Sequence, residues 1–170
     1  MATDDIYLGN PNLKKANTPV EFTADQISEF IKCKKNPVYF AKKYVQIVNL
    51  DEGLVPFSPY KFQEKLIKRF HKHRFNICKM PRQTGKSTTV VAYLLHYAVF
   101  NDSVNIGILA NKAATARELL GRLQTAYENL PKWMQQGIIA WNKGSMELEN
   151  GSKILAASTS ASAVRGMSFN

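Results

Sequence analysis

Phe75-Asn-Ile-Cys-Lys-Met80, Pro81-Arg-Gln-Thr-Gly-Lys86-Ser87 and the apolar run from Thr88 to Phe100 follow one another in the chain. The first six residues read as a strand, the next seven as a phosphate loop and the run as a helix, an order that implies a nucleoside triphosphate site. The reasons are local. Gly85 lets the backbone approach a phosphate closely, and the helix behind it turns unpaired N–H groups and its positive dipole end toward that anion. Lys86 reaches the outer phosphates and Ser87 can ligate Mg²⁺. The usual eight-residue pattern starts with Gly five residues before Gly85, where this chain has Met80. Gly-Lys-Ser alone is a common tripeptide, so the weight falls on context: Thr88 to Phe100 is apolar except for two Thr and His96, as a helix buried against a sheet requires.

Working back from the loop, Ser58-Pro59 is a cap-then-proline signal. Tyr60, Phe62, Gln63, Leu66, Ile67 and Phe70 then share one helix face, and Lys61, Glu64, Lys65, Lys68, Arg69 and Lys72 lie outside it. Earlier, Thr23 and Gln26 form a capping box with Phe22 and Ile27 as its staple, and Asn36-Pro37 opens a second short helix through Tyr44. Val45 to Leu50 reads as a strand or an irregular segment. Residues 1 to 20 are polar and read as a mobile or draped arm.

Forward of the loop, Val104 to Ala110 reads as a buried strand, and Ala113 to Asn129 as a covering helix with Leu119, Leu120, Leu123, Ala126 and Tyr127 on its stripe. Gly137 to Trp141 is strand-like. Met146 to Leu155 reads as a hairpin whose Asn150-Gly151 suits a type I′ turn. The whole predicts an α/β fold: a P-loop NTPase core with a parallel sheet, N-terminal helices and a β-hairpin insertion, the sheet incomplete within this chain. The expected organisation is an arm over 1–20, a helical layer over 21–58 and a partial ATPase domain over 59–170.

Composition narrows the partners. The 170 residues are 45% hydrophobic and 21% charged, ordinary for a globular chain, but the formal net charge of +10 points to a polyanion. Nucleic acid leads over membrane, because no basic amphipathic helix lies near a terminus and no 18-residue apolar run exists. Cys33 and Cys78 stand apart without metal-like spacing, as reduced thiols do. His71 and His73 are two apart and share no helix face, and His96 reads as a satisfied core residue. The basic face over residues 61 to 74 could line a phosphate backbone, yet a charged outer helix face is usually only solvated, and for this helix the solvated reading is favoured.

A hydrolase of this kind needs an acidic pair at the end of a second core strand, an Asp for Mg²⁺ and a Glu for water. The acids after Ser87 are Asp102, Glu118, Glu128, Glu147 and Glu149; none ends an apolar run with a second acid behind it, and each reads as a solvated surface carboxylate. The chain alone is therefore expected to hold nucleotide and turn over at or near background.

Ser58-Pro-Tyr-Lys-Phe62-Gln63, Pro81 to Ser87, Gly107-Ile-Leu-Ala-Asn111-Lys112, Trp141 to Ser145, Glu149 to Ser152 and Ala163-Val-Arg165-Gly166, in that order, resemble the large terminase subunit of tailed phages, most of all the T-even type. The resemblance implies the N-terminal ATPase part of a motor that drives double-stranded DNA into a procapsid, with the Asp-Glu strand and a nuclease half beyond this chain. It implies ATP and Mg²⁺ as ligands. It also implies a portal protein, a small terminase subunit and a homo-oligomeric ring as partners, with no membrane, in the host cytoplasm and absent from the mature virion. Carried over residue by residue, Gln63 would read adenine. Arg82, Gln83, Thr84, Gly85, Lys86, Ser87 and Thr88 would cradle phosphate, with Ser87 on the metal. Arg82 would act as an arginine finger in cis, and Arg165 is a candidate for the same role toward a neighbouring subunit. The competing readings are a helicase-like translocase and a truncated nucleotide-binding polypeptide without hydrolysis.

Overall fold

The computed structural model describes residues 5–49, 51–159 and 168–169, so Arg165 and the segment around it lie outside the described residues. The chain opens with a small antiparallel hairpin, β1 (Ile6–Tyr7) and β2 (Asn10–Lys14). This part of the arm is draped on the body. Leu13 is buried, the Lys14 N–H donates to Gln135 Oε1 at 3.0 Å, and Lys15 forms a parallel bridge to Ile138. A Cβ on Gly137 would sit 2.5 Å from Ala16 Cα and 2.5 Å from Glu149 Oε2, so the arm approaches this closely only because position 137 has no side chain.

Helix α1 (Ala24–Lys35) starts at Thr23 with both halves of the capping box made: Gln26 N–H to Thr23 Oγ1 at 3.2 Å and Thr23 N–H to Gln26 Oε1 at 3.0 Å. Phe22 rests edge-on against Phe30 and Trp133. Asn36 ends α1 and opens α2 (Pro37–Tyr44), its side chain accepting from Tyr39 N–H at 3.0 Å. Glu29 clamps the two helices, accepting from Lys43 Nζ, Tyr39 Oη and Tyr44 Oη. The Lys43 hydrogen bond leads in holding its carboxyl down at about 2. Two strands then pair antiparallel, β3 (Gln46–Asn49) and β4 (Gly53–Pro56), so most of the segment left open between strand and irregular is a strand.

Helix α3 (Lys61–Lys72) begins after Tyr60, later than Ser58-Pro59 signalled, because Gln63 Oε1 takes the Tyr60 N–H at 2.9 Å and fixes the first turn there. Gln63 and Ile67 are buried, and Leu66 and Phe70 half-buried. Tyr60 and Phe62, grouped with that face by sequence, instead turn outward and stack on each other with ring centroids 5.8 Å apart. Position 62 lies about 100° round the helix from 63, and Tyr60 precedes the first turn.

Two longer helices, α4 (Lys86–Phe100) and α5 (Ala113–Glu128), pack on each other, and α5 packs on a four-stranded sheet of β5 (Asn105–Ala110), β6 (Ile138–Trp141), β7 (Ser145–Leu148) and β8 (Lys153–Ser158). Its order is β5-β8-β7-β6. Leu95, Leu120, Leu123, Met146, Leu148 and Ile154 are fully buried in one core; each such side chain contributes about 1.5–3 kcal/mol by its removal from water. No helix among the described residues is long and apolar enough to cross a membrane.

The sheet departs from expectation in three ways. It is mixed: only β5 and β8 run parallel, and the hairpin expected as an insertion forms the middle of the sheet, because the second leg of the hairpin is the strand that pairs with β5. Phe75 to Met80 is not a strand. Phe75 and Ile77 are 85% and 101% exposed, and the segment joins no ladder among the described residues; alternation of apolar side chains makes a strand only where a neighbour supplies hydrogen bonds. Finally, Asn150-Gly151 is not type I′, which needs two positive φ values. Gly151 alone has one, at 80°, with Gly151 N–H on Leu148 O and Leu148 N–H on Ser152 O, a three-residue loop of the bulged kind. Asn150 is held by tertiary bonds instead, its Nδ2 donating to Ala98 O at 2.9 Å and Asn101 O at 3.0 Å.

Candidate functional site

The site grows from the junction of α3, the loop at 81–85 and the first turn of α4. Gly85 is the N-cap of α4 with φ 71° and ψ 21°, a left-handed conformation that glycine adopts without penalty, and α4 has no side-chain cap bond. The N–H groups of a helix's first turn have no intrahelical acceptors, and the dipole adds a partial positive charge there. Gln83, exposed, also has a positive φ of 60°, so the loop doubles back twice within three residues.

Side chains then fix the loop. Thr84 Oγ1 donates to Pro81 O at 3.0 Å, and Thr89 Oγ1 donates to Gly85 O at 2.9 Å. Lys86 folds back, its Nζ donating to Met80 O at 2.7 Å and Pro81 O at 2.6 Å. From below, Gln63 Nε2 reaches Thr84 O at 3.4 Å and Gly85 O at 3.5 Å, long bonds from an amide that is only 4% exposed. Met80, the departure from the usual pattern, thus supplies a backbone carbonyl that its side chain does not affect. A cavity of about 260 Å³ beside the loop is lined by Leu66, Cys78, Lys86, Ser87, Val90 and Ile108.

The residues singled out by sequence separate into three groups. Gln63, Thr84, Gly85 and Lys86 are brought into one hydrogen-bonded unit. Arg82, Gln83 and Ser87 are exposed around it and Thr88 is half-buried. Arg165 is outside the described residues. Gln63 braces the loop from beneath: its Oε1 serves Tyr60 and its Nε2 the loop carbonyls. Sequence reasoning missed Thr89, whose hydroxyl four residues after Gly85 has the spacing for bonding to a carbonyl one turn back.

Away from the loop, two expectations change. Glu149, read as a solvated carboxylate, accepts from Lys14 Nζ and from Asn17 N–H, both at 2.9 Å. Desolvation pushes its carboxyl up, but hydrogen bonds from Gly137, Lys14 and Asn17 outweigh that and leave it lowered. His96 is only half satisfied: one ring nitrogen lies 3.0 Å from Cys33 O, while Nδ1 has no partner among the described residues. Burial brings its imidazole down to about 4.

A left-handed glycine feeding an uncapped helix start, with a lysine folded over the loop, defines a loop-and-helix site built around backbone donors. Residues 77–170, which begin just before that loop and run through the sheet, match the family model described as terminase large subunit, T4-like virus type, N-terminal. The match spans more than half of the chain, which therefore belongs to this family of large terminase subunits. Membership suggests a role in phage DNA packaging.

Proposed function

We propose that this chain carries the ATP site of a DNA-packaging motor, which couples hydrolysis to movement of double-stranded DNA into a procapsid. The observation that carries the reading is the pairing of Gly85 in the left-handed region with the uncapped start of α4. An anion set there would meet first-turn N–H groups and the helix dipole. Lys86 can follow it, since among the described residues its ammonium is held by two loop carbonyls that it can exchange for phosphate oxygens. Ser87, exposed at the second helical position, would bind Mg²⁺, which would neutralise charge between the outer phosphates. Gln83, Thr84 and Thr88 would complete the cradle. Arg82 on the rim would stabilise charge that grows during phosphoryl transfer, and Arg165 would do so for a neighbouring subunit. Gln63 would read the adenine while bracing the loop through its two carbonyl contacts. The donor set fits a Mg²⁺–triphosphate.

The test is binding of a fluorescent ATP analogue with Mg²⁺ to the wild-type chain and to Lys86→Ala. Loss of tenfold or more in affinity in the variant is expected. Equal binding by the two, with unchanged melting, would overturn the site.

A further inference from the structure

Helix α3 sorts its side chains by angle. Gln63, Leu66, Ile67 and Phe70 face inward, and Lys61, Lys65, Lys68 and Lys72, at spacings of four, three and four, run along the opposite side with Arg69 beside them. All five cations are exposed, and none pairs with an acid among the described residues. At about 1.5 Å per residue the stripe is about 17 Å long. Residues 61–72 hold five Lys and Arg against one acid, Glu64, so this one helix carries +4 of the chain's +10. Glu64 is drawn across to Lys42 of α2 at 2.7 Å.

That concentration decides against a merely solvated face. Like charges one turn apart, as at Lys61 and Lys65, Lys65 and Arg69, and Lys68 and Lys72, weaken a helix, so α3 bears repulsion that a bound polyanion would relieve. The stripe also selects among polyanions. An anionic membrane would recruit apolar side chains on the same face, and here the apolar stripe is turned into the core. A single strand would want aromatic rings interleaved along the row of cations; the exposed rings, Tyr60 and Phe62, lie together at the start of the helix and stack on each other. A straight row of cations without base-reading partners suits the regular phosphates of a duplex.

We propose that the outer face of α3, Lys61, Lys65, Lys68, Arg69 and Lys72, docks on the phosphate backbone of double-stranded nucleic acid without regard to sequence. This surface is separate from the loop at 81–87, and the inference does not depend on what that loop binds.

The experiment measures fluorescence anisotropy of a labelled 30-base-pair duplex of arbitrary sequence with the full chain, without nucleotide, across a salt series. The triple variant K65Q/K68Q/K72Q should bind at least tenfold more weakly, and its slope of log K against log salt should be shallower by about 2.7, or 0.9 per lost contact. K112Q/K132Q/K143Q, with the same change in charge on other elements, should bind within about twofold of wild type. Protection of lysines 61, 65, 68 and 72 from acetylation by bound duplex, read by mass spectrometry on the wild-type chain, covers the case in which the triple variant does not fold. Equal losses in the two triple variants would overturn the proposal. So would tighter binding to a single strand of the same length or to phosphatidylserine vesicles, or unprotected α3 lysines in a chain that binds duplex.

Discussion

Lys14 Nζ and Glu149 Oε1 meet at 2.9 Å across 135 residues of chain, joining the N-terminal hairpin to the turn between β7 and β8. Lys14 is 7% exposed, a burial that a lysine tolerates only with a partner. Around the pair, Gln135 collects the Asn12 and Leu130 carbonyls and the Lys14 N–H, so an arm with little apolar sequence is fixed by polar bonds aimed at one place.

Removing Glu149 should therefore cost more than removing Lys14, because it strands a buried ammonium. For this part-buried pair, Glu149→Ala is expected to lose about 2–3 kcal/mol and Lys14→Ala about 1–2 kcal/mol, with a coupling near 1 kcal/mol. Urea denaturation of the two single variants and the double variant measures all three; a coupling of zero would leave the contact without energetic content.

Gly137→Ala tests the same seam sterically. Its Cβ would meet the Ala16 Cα at 2.5 Å, a backbone atom that cannot rotate away. The expected result is about 1–3 kcal/mol of lost stability and faster amide exchange at residues 13–17, with α4 and α5 unaffected. Unchanged exchange in the arm would contradict the described approach.

Acid should lower the stability of the protein over two pH windows. His96 is held neutral, brought down to about 4 from 6.5, so its share of stability is complete above pH 6.5 and is lost as pH falls toward 4, about 3 kcal/mol in all. Glu29, lowered from 4.5 to about 2, contributes fully above pH 4.5 and loses its share as pH falls toward 2. Melting temperatures of His96→Gln should be flatter between pH 6.5 and 4, and those of Glu29→Gln flatter below 4.5. Parallel curves for wild type and both variants would rule this assignment out.

Asn150→Ala is expected to lower stability by about 1–2 kcal/mol, although an alanine fits the turn, because the Ala98 carbonyl would lose its side-chain donor and the Asn101 carbonyl would keep only that of Ser152 Oγ. Asn150→Asp, which cannot donate, should cost at least as much. Thermal melts of the two variants decide between this and a turn-propensity effect, in which Asp would be tolerated.

Local chemistry was readable in advance, and pairing was not. Thr23 with Gln26, Asn36 with Pro37 and the α5 stripe were legible because each is decided within one or two helical turns. The Gly85-to-Lys86 helix start was legible for the same reason. The place of β8 between β5 and β7, and the lack of a strand partner for Phe75 to Met80 among the described residues, depend on which edges meet, and side-chain alternation carries no record of that. Glu149 looked like any hairpin carboxylate because its partner lies far away in sequence. At the loop, the support from Gln63 and Thr89 required the packed helices to be seen.

Gly85 and Gln63 sit where one cannot be altered without reference to the other. A Cβ at position 85 would lie 2.5 Å from Gln63 Nε2, and the backbone there is left-handed besides. In genetic terms the two positions form an asymmetric suppressor pair. Shortening residue 63 can clear space for a side chain at 85 but leaves its φ of 71° unrelieved, whereas nothing introduced at 85 can replace a lost amide at 63. Revertants of a Gly85 substitution should therefore arise mainly by restoring glycine and only in part by change at 63.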